Sequence, residues 1–114
     1  MENSSYDIIG KVVAGIIDRP IGSQHPSNPN IIYPINYGYV ENMFANDGEE
    51  QDVYVLGTNM PIKRFEGEVI AIYHRINDIE DKWIVTIDEK KYSDEEILEM
   101  IYFQEKYFEG YLIR

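Results

Sequence analysis

The sequence predicts a mainly β chain of the α+β class: a small closed barrel of short strands followed by one C-terminal helix. Three observations carry this expectation. Short Ile-, Val- and Tyr-rich runs recur as far as Asp88, divided by Pro, Gly and acidic segments. A capping box opens a stretch with helical apolar spacing near the C-terminus. Many short strands in 114 residues favour closure, which leaves no edge exposed.

Each element follows from its residues. Ile8 to Ile17 reads as a strand, bent at Gly10 or Gly15. Asp18 to Asn30 holds Pro20, Pro26 and Pro29 with a Gly-Ser pair, and reads as a loop. Ile31 to Tyr33 and Ile35 to Val40 are extended pieces around Pro34, and Glu41 to Gln51 is an acidic, turn-rich loop. Asp52 to Gly57 is a strand with Val53 and Val55 on one face; Glu68 to Arg75 and Lys82 to Asp88 are two more. In Ser93-Asp-Glu-Glu96 a hydroxyl acceptor precedes a Glu by three residues. A helix of about four turns follows, with Ile97, Ile101 and Phe108 near one face and Gly110 as its stop.

Composition bounds the function. Ten Lys and Arg stand against 21 Asp and Glu, a net charge of −11. That balance excludes a generic nucleic-acid binder and a protein held by charge to anionic lipid. With no cysteine there is no disulfide framework and no thiolate metal site. Met1 to Asp7 has no cationic or long apolar region, and no apolar run is long enough to span a membrane. The expectation is a soluble cytoplasmic chain in which residues 1–114 form one domain. One Trp, ten Tyr and four Phe in so small a barrel imply an apolar face to hide, hence a homo-oligomer.

Three clusters could carry chemistry. The segment Glu41 to Asp52 is dense in carboxylates: it is either a solvated loop or a site for a hard divalent cation. Gly48 lets Asp47 and Glu49 point at one spot, and Asp52 stands where a strand begins. An EF-hand does not fit, because the loop leads into a strand. Asn77 to Lys82 is either a polar hairpin turn or a second source of ligands, with Lys82 as a point charge for phosphate. In Tyr33-Pro-Ile-Asn-Tyr-Gly-Tyr39, Tyr33 and Tyr39 suit a core. Tyr37, between Asn36 and Gly38, can approach a ligand and donate to an anionic oxygen.

Taken in order, these segments resemble the family I soluble inorganic pyrophosphatases. The resemblance rests on Tyr33-Pro-x-Asn-Tyr-Gly-Tyr39, on Asp47-Gly-Glu-x-x-Asp52-Val eight residues later, on Glu80-Asp-Lys82 and on Phe103-Gln-Glu-Lys-Tyr107, with a weaker echo in Asp18-x-Pro-x-Gly-Ser23. It implies a β-barrel of oligonucleotide-binding type and Mg²⁺-dependent hydrolysis of pyrophosphate, with Mn²⁺ as an alternative metal. Carried over by position, it implies metal ligation by Asp47, Glu49, Asp52, Asp78 and Glu80. Glu49 would be the general base, Asp52 the bridging carboxylate, and Tyr37, Lys82 and Tyr107 the phosphate contacts. The chain departs from the family pattern in three places. Glu49 is a methylene longer than the usual Asp. The segment from Gly22 to Tyr33 is too short for the hairpin that carries a Lys and an Arg. Phe108 stands where a Lys is usual. Arg19, His25, His74 and Arg75 are the residues that could replace the missing cations. Two other readings keep part of this picture: a metal-dependent hydrolase of another phosphoanhydride or phosphate ester, and a catalytically decayed metal- or phosphate-binding module.

Overall fold

The computed structural model describes residues 4–45, 48–78 and 80–114. A 3-10 turn over Ser4–Ile8 leads into eight strands and one helix. The strands are β1 (Val12–Arg19), β2 (Gln24–His25), β3 (Asn28–Ile32), β4 (Asn36–Phe44), β5 (Glu50–Leu56), β6 (Arg64–Arg75), β7 (Asp81–Thr86) and β8 (Gly110–Ile113); α1 spans Asp94–Glu105.

Five strands close on themselves. The order is β1-β4-β5-β7-β6, and β6 pairs again with β1. All these contacts are antiparallel except β5 with β7. Closure forces the backbones close together where β1 crosses β4. A Cβ on Gly15 would collide with the Tyr39 carbonyl, and one on Gly38 with the Ile16 carbonyl. These two glycines are therefore steric requirements of the barrel rather than flexible points.

The sheet is buried on both faces, so its central strands read as unbroken apolar runs. Val53, Val55, Trp83, Val85, Val69 and Ile72 fill the barrel interior with Val13, Ile17 and Phe65. The alternate residues Tyr54, Leu56, Ile84, Ala71 and Tyr73 turn outward and pack with Ile97 and Ile101 of α1. Extending that outward parity along each strand, two residues at a time, reaches Asp52 on β5, Lys82 on β7 and Arg75 on β6. The site is thus assembled where the helix-covered face runs out.

Several local expectations change. The loop expected over Glu41 to Gln51 shrinks, since β4 runs to Phe44 and β5 starts at Glu50, and the strand expected from Glu68 starts at Arg64. The first strand begins at Val12, after a turn at Gly10. The segment expected as a loop holds the irregular β2–β3 hairpin, with Gln24 opposite Ile32 and His25 opposite Asn28. The helix ends at Glu105, about three turns from its start. Gly110 does not stop it: this glycine opens β8, opposite Arg75 on β6. The cap itself is as expected, with Ser93 accepting from the Glu96 backbone and Glu96 from the Ser93 backbone.

Candidate active site

Lys82 is the node of the site. Its Nζ donates to Asp52 Oδ2 at 2.7 Å and to the Tyr37 hydroxyl at 2.9 Å, and lies 3.4 Å from Glu80 Oε2. The Lys82 side chain is 5% exposed. An ammonium that deep needs carboxylate and hydroxyl partners to offset its lost hydration. Burial, reinforced by the charge of Asp52, holds the Tyr37 phenol well above its ordinary value. It therefore keeps its proton at neutral pH.

Two guanidinium groups flank this node. Arg19 Cζ lies 5.3 Å from the centre of the Tyr37 ring and 5.7 Å from that of Tyr33, and its Nη1 donates to the Tyr33 hydroxyl at 2.6 Å. Arg75 is almost fully buried. Its Nε and Nη2 donate to the two oxygens of Glu105, each at 2.8 Å, and its Nη1 to Asp78 and Glu80, each at 3.1 Å. Burial alone would lower the Arg75 value; the bonds and charge of Glu105 outweigh it and raise it. Burial also raises the Glu80 carboxyl above its ordinary value, against the pull of Lys82 and Arg75. Phe108 stacks its ring 3.6 Å from Arg75 Cζ.

These groups line a cleft of about 470 Å³. Arg19, Tyr37, Asp52, Arg75, Lys82 and Tyr107 contribute to it, with His25, Ser27 and Asn28 from the β2–β3 hairpin. The structure thus brings together Asp52, Tyr37, Lys82, Arg19, His25 and Tyr107, all read from the sequence as site residues. The β2–β3 hairpin carries no Lys or Arg, and it brings His25 and Asn28 to the cleft. Asp78 and Glu80 reach the site through Arg75. Glu49 is exposed in the turn after Gly48, whose φ is +86°, and is not among the residues lining the cleft. Asp47 lies outside the described residues. His74 does not line the cleft: its Nδ1 pairs with Asp81 at 2.7 Å.

Tyr54, Gln104 and Glu105 support the site and were not read from the sequence as part of it. The signal was present in α1. Gln104 and Glu105 fall three and four residues after Ile101 and continue its buried stripe. Polar residues at apolar positions imply buried partners.

A family model for inorganic pyrophosphatase matches residues 18–110. Three solved pyrophosphatase structures share the fold. The one from Ehrlichia chaffeensis has a TM-score of 0.67 at 17% identity, covering 90% of this chain and 85% of that one. The one from Thermus thermophilus has 0.63 at 22%, covering 85% and 72%. The one from Helicobacter pylori has 0.61 at 16%, covering 100% and 89%. A search of curated proteins finds no match. The family match takes in barrel strands β4 to β7 with the end of β1, the helix and all the residues that meet at Lys82, so the chain belongs to the inorganic pyrophosphatase family of diphosphatase hydrolases.

Proposed function

We propose that this chain hydrolyses inorganic pyrophosphate to two orthophosphates with a divalent metal, Mg²⁺ in the first instance and Mn²⁺ as an alternative. Family membership supports the reaction. The observation that carries the assignment to this cleft is Lys82 joined to Asp52, Tyr37 and Glu80.

The donor chemistry fits such a metal. Around Arg75 and Lys82 stand Asp52, Asp78, Glu80 and Glu105, so four carboxylates face two cations. The partly exposed carboxylates among them, Asp52, Asp78 and Glu80, are hard oxygen donors of the kind such a cation takes. Among the described residues no three acid or imidazole groups gather closely enough to enclose an ion. Asp47, Glu49, Asp52, Asp78 and Glu80 are the ligands we propose. When bound, the metal neutralises phosphate charge and lowers the pKa of a bound water.

The chain's own groups supply the rest. Tyr37, kept protonated by its burial, donates to a phosphate oxygen. Lys82 turns to the substrate by giving up Glu80, the longest of its three contacts. Arg19, with its remaining guanidinium donors, binds the second phosphoryl group. His25 and Tyr107 close the rim. Glu49 takes the proton of the attacking water, a role the resemblance alone supports.

We also read residues 1–114 as one such domain, working as a homo-oligomer in the cytoplasm. Exposed Val12, Phe44 and Met60 support the oligomer, and the absence of cysteine suits a reducing compartment. No helix among the described residues is long and apolar enough to cross a membrane.

The deciding measurement is phosphate release from pyrophosphate with and without Mg²⁺. Release should require the metal and fall by about two orders of magnitude or more in Asp52→Asn. No release with any divalent metal would overturn the reading. Faster release from other phosphorylated compounds would move the assignment to a different phosphoanhydride or ester.

A further inference from the structure

Two adjacent residues in the last turn of α1, Gln104 and Glu105, sit at the centre of one continuous hydrogen-bonded chain. Arg19 Nη1 donates to the Tyr33 hydroxyl at 2.6 Å, and that hydroxyl donates to Gln104 Oε1 at 2.6 Å. Gln104 Nε2 donates to the Tyr54 hydroxyl at 2.7 Å, which donates to Glu105 Oε2 at 2.6 Å. Glu105 accepts both bonds of the Arg75 fork. Arg75 in turn holds Glu80, which contacts Lys82.

The order of donors is set by charge. A cation starts the chain at Arg19 and a carboxylate ends it at Glu105, so every proton between them points one way. Each hydroxyl that accepts from the cationic side becomes a better donor to the next group. Among the described residues no buried side-chain nitrogen or oxygen lacks a partner. The Glu105 side chain is 3% exposed. It cannot exchange Arg75 for water without leaving a charge buried and unpaired.

We infer that Gln104 and Glu105 are positioning residues: through Tyr33 they hold the Arg19 guanidinium at the cleft for the substrate, and through Arg75 they fix Glu80 beside Lys82. This rests on the reading of the cleft as a pyrophosphate site. Neither residue is proposed to touch the reacting atoms; they act through Tyr33 and Tyr54 on one side and Arg75 on the other. The fork of Arg75 is filled by carboxylates and its face by Phe108. It is therefore a strut that fixes Glu80, while Arg19 keeps free donors toward the cleft. The helix end sets both.

The experiment compares the full chain with Glu105→Gln, Gln104→Leu and, as a control, Ile101→Val. The control thins the same helix-sheet core without touching the chain of hydrogen bonds. Glu105→Gln keeps shape and volume but removes the charge facing Arg75, and Gln104→Leu removes a neutral link, so each variant tests the chain by a different loss and either one found folded suffices for the test. Melting curves establish that each is folded at the assay temperature. With pyrophosphate and Mg²⁺, Glu105→Gln and Gln104→Leu should raise KM about tenfold or more, with a smaller change in kcat. Ile101→Val should leave both within about twofold. Equal effects in the control, or no effect in the two variants, overturns the inference.

A second readout needs no substrate. In spectra of the arginine side-chain N–H groups, Gln104→Leu should shift the Arg19 signals although residue 104 does not touch Arg19, and Ile101→Val should not. If the parent chain releases no phosphate, the proposed function falls. The arginine signals still decide the positioning: a shift confined to the two variants supports it, and unmoved signals overturn it.

Discussion

Lys82 owes its importance to what surrounds it. Alone in the sequence it is one Lys in an acidic turn; on β7 its Nζ gathers a phenol and two carboxylates. Removing it should separate activity from stability. In Lys82→Met the chain length and most of the volume remain, and Asp52, whose side chain is 34% exposed, can turn to water. Phosphate release should drop by about two orders of magnitude, while the melting temperature falls only modestly, because the carboxylates left behind, Asp52 and Glu80, are both partly exposed and can be hydrated. Parallel rate and melting measurements check this; a large fall in melting temperature would contradict it. Tyr37, Asp52 and Lys82 were candidates on residue chemistry, and the family resemblance of their motifs joined them into one site. Arg75 was visible only as a spare cation, because its three carboxylate partners come from the adjoining turn and from a helix thirty residues on.

At the scale of elements, α1 shows which signals are local. Its start is written in four residues: Ser93 and Glu96 satisfy each other's backbone N–H groups. Its end is not, since Tyr107 and Phe108 keep a helical spacing but Gly110 joins β6 instead. The cap gives a pH prediction with a definite sign. The backbone bond from Ser93 holds Glu96 below its ordinary value of 4.5. A lowered carboxylate contributes stability above its unfolded value and loses it as pH falls through the folded one. The melting temperature should therefore exceed that of Glu96→Gln at neutral pH, and the gap should close on acidification below about 4.5. A gap that does not change with pH would exclude the ionised cap as its source. The β2–β3 hairpin went unread for a different reason: its paired segments are too short and too rich in proline to show alternation.

For the whole molecule, a charge of −11 means self-repulsion that salt should relieve. Raising NaCl should raise the melting temperature by screening. At equal ionic strength Mg²⁺ should raise it further, because a ligand that binds only the folded state adds its binding free energy. Calorimetric melts in matched NaCl and MgCl₂ distinguish the two effects. Identical curves would mean that the acidic groups at the cleft hold no divalent ion.

The sequence by itself determined the class of fold, the shared face of Val53 and Val55, the start of the helix and, through its motifs, the residues that meet at Lys82. The first three depend on side chains a few positions apart, whose periodicity and spacing are visible along the chain; the last was implied by the family resemblance of motifs 30 to 45 residues apart. Only the tertiary structure decided the Glu105–Arg75 fork, the chain from Arg19 through Gln104, and the strand after the helix. Their partners lie 14 to 71 residues apart. Such pairings are chosen by barrel closure and by the burial of polar groups that must find partners in space, and neither leaves a local mark in the sequence.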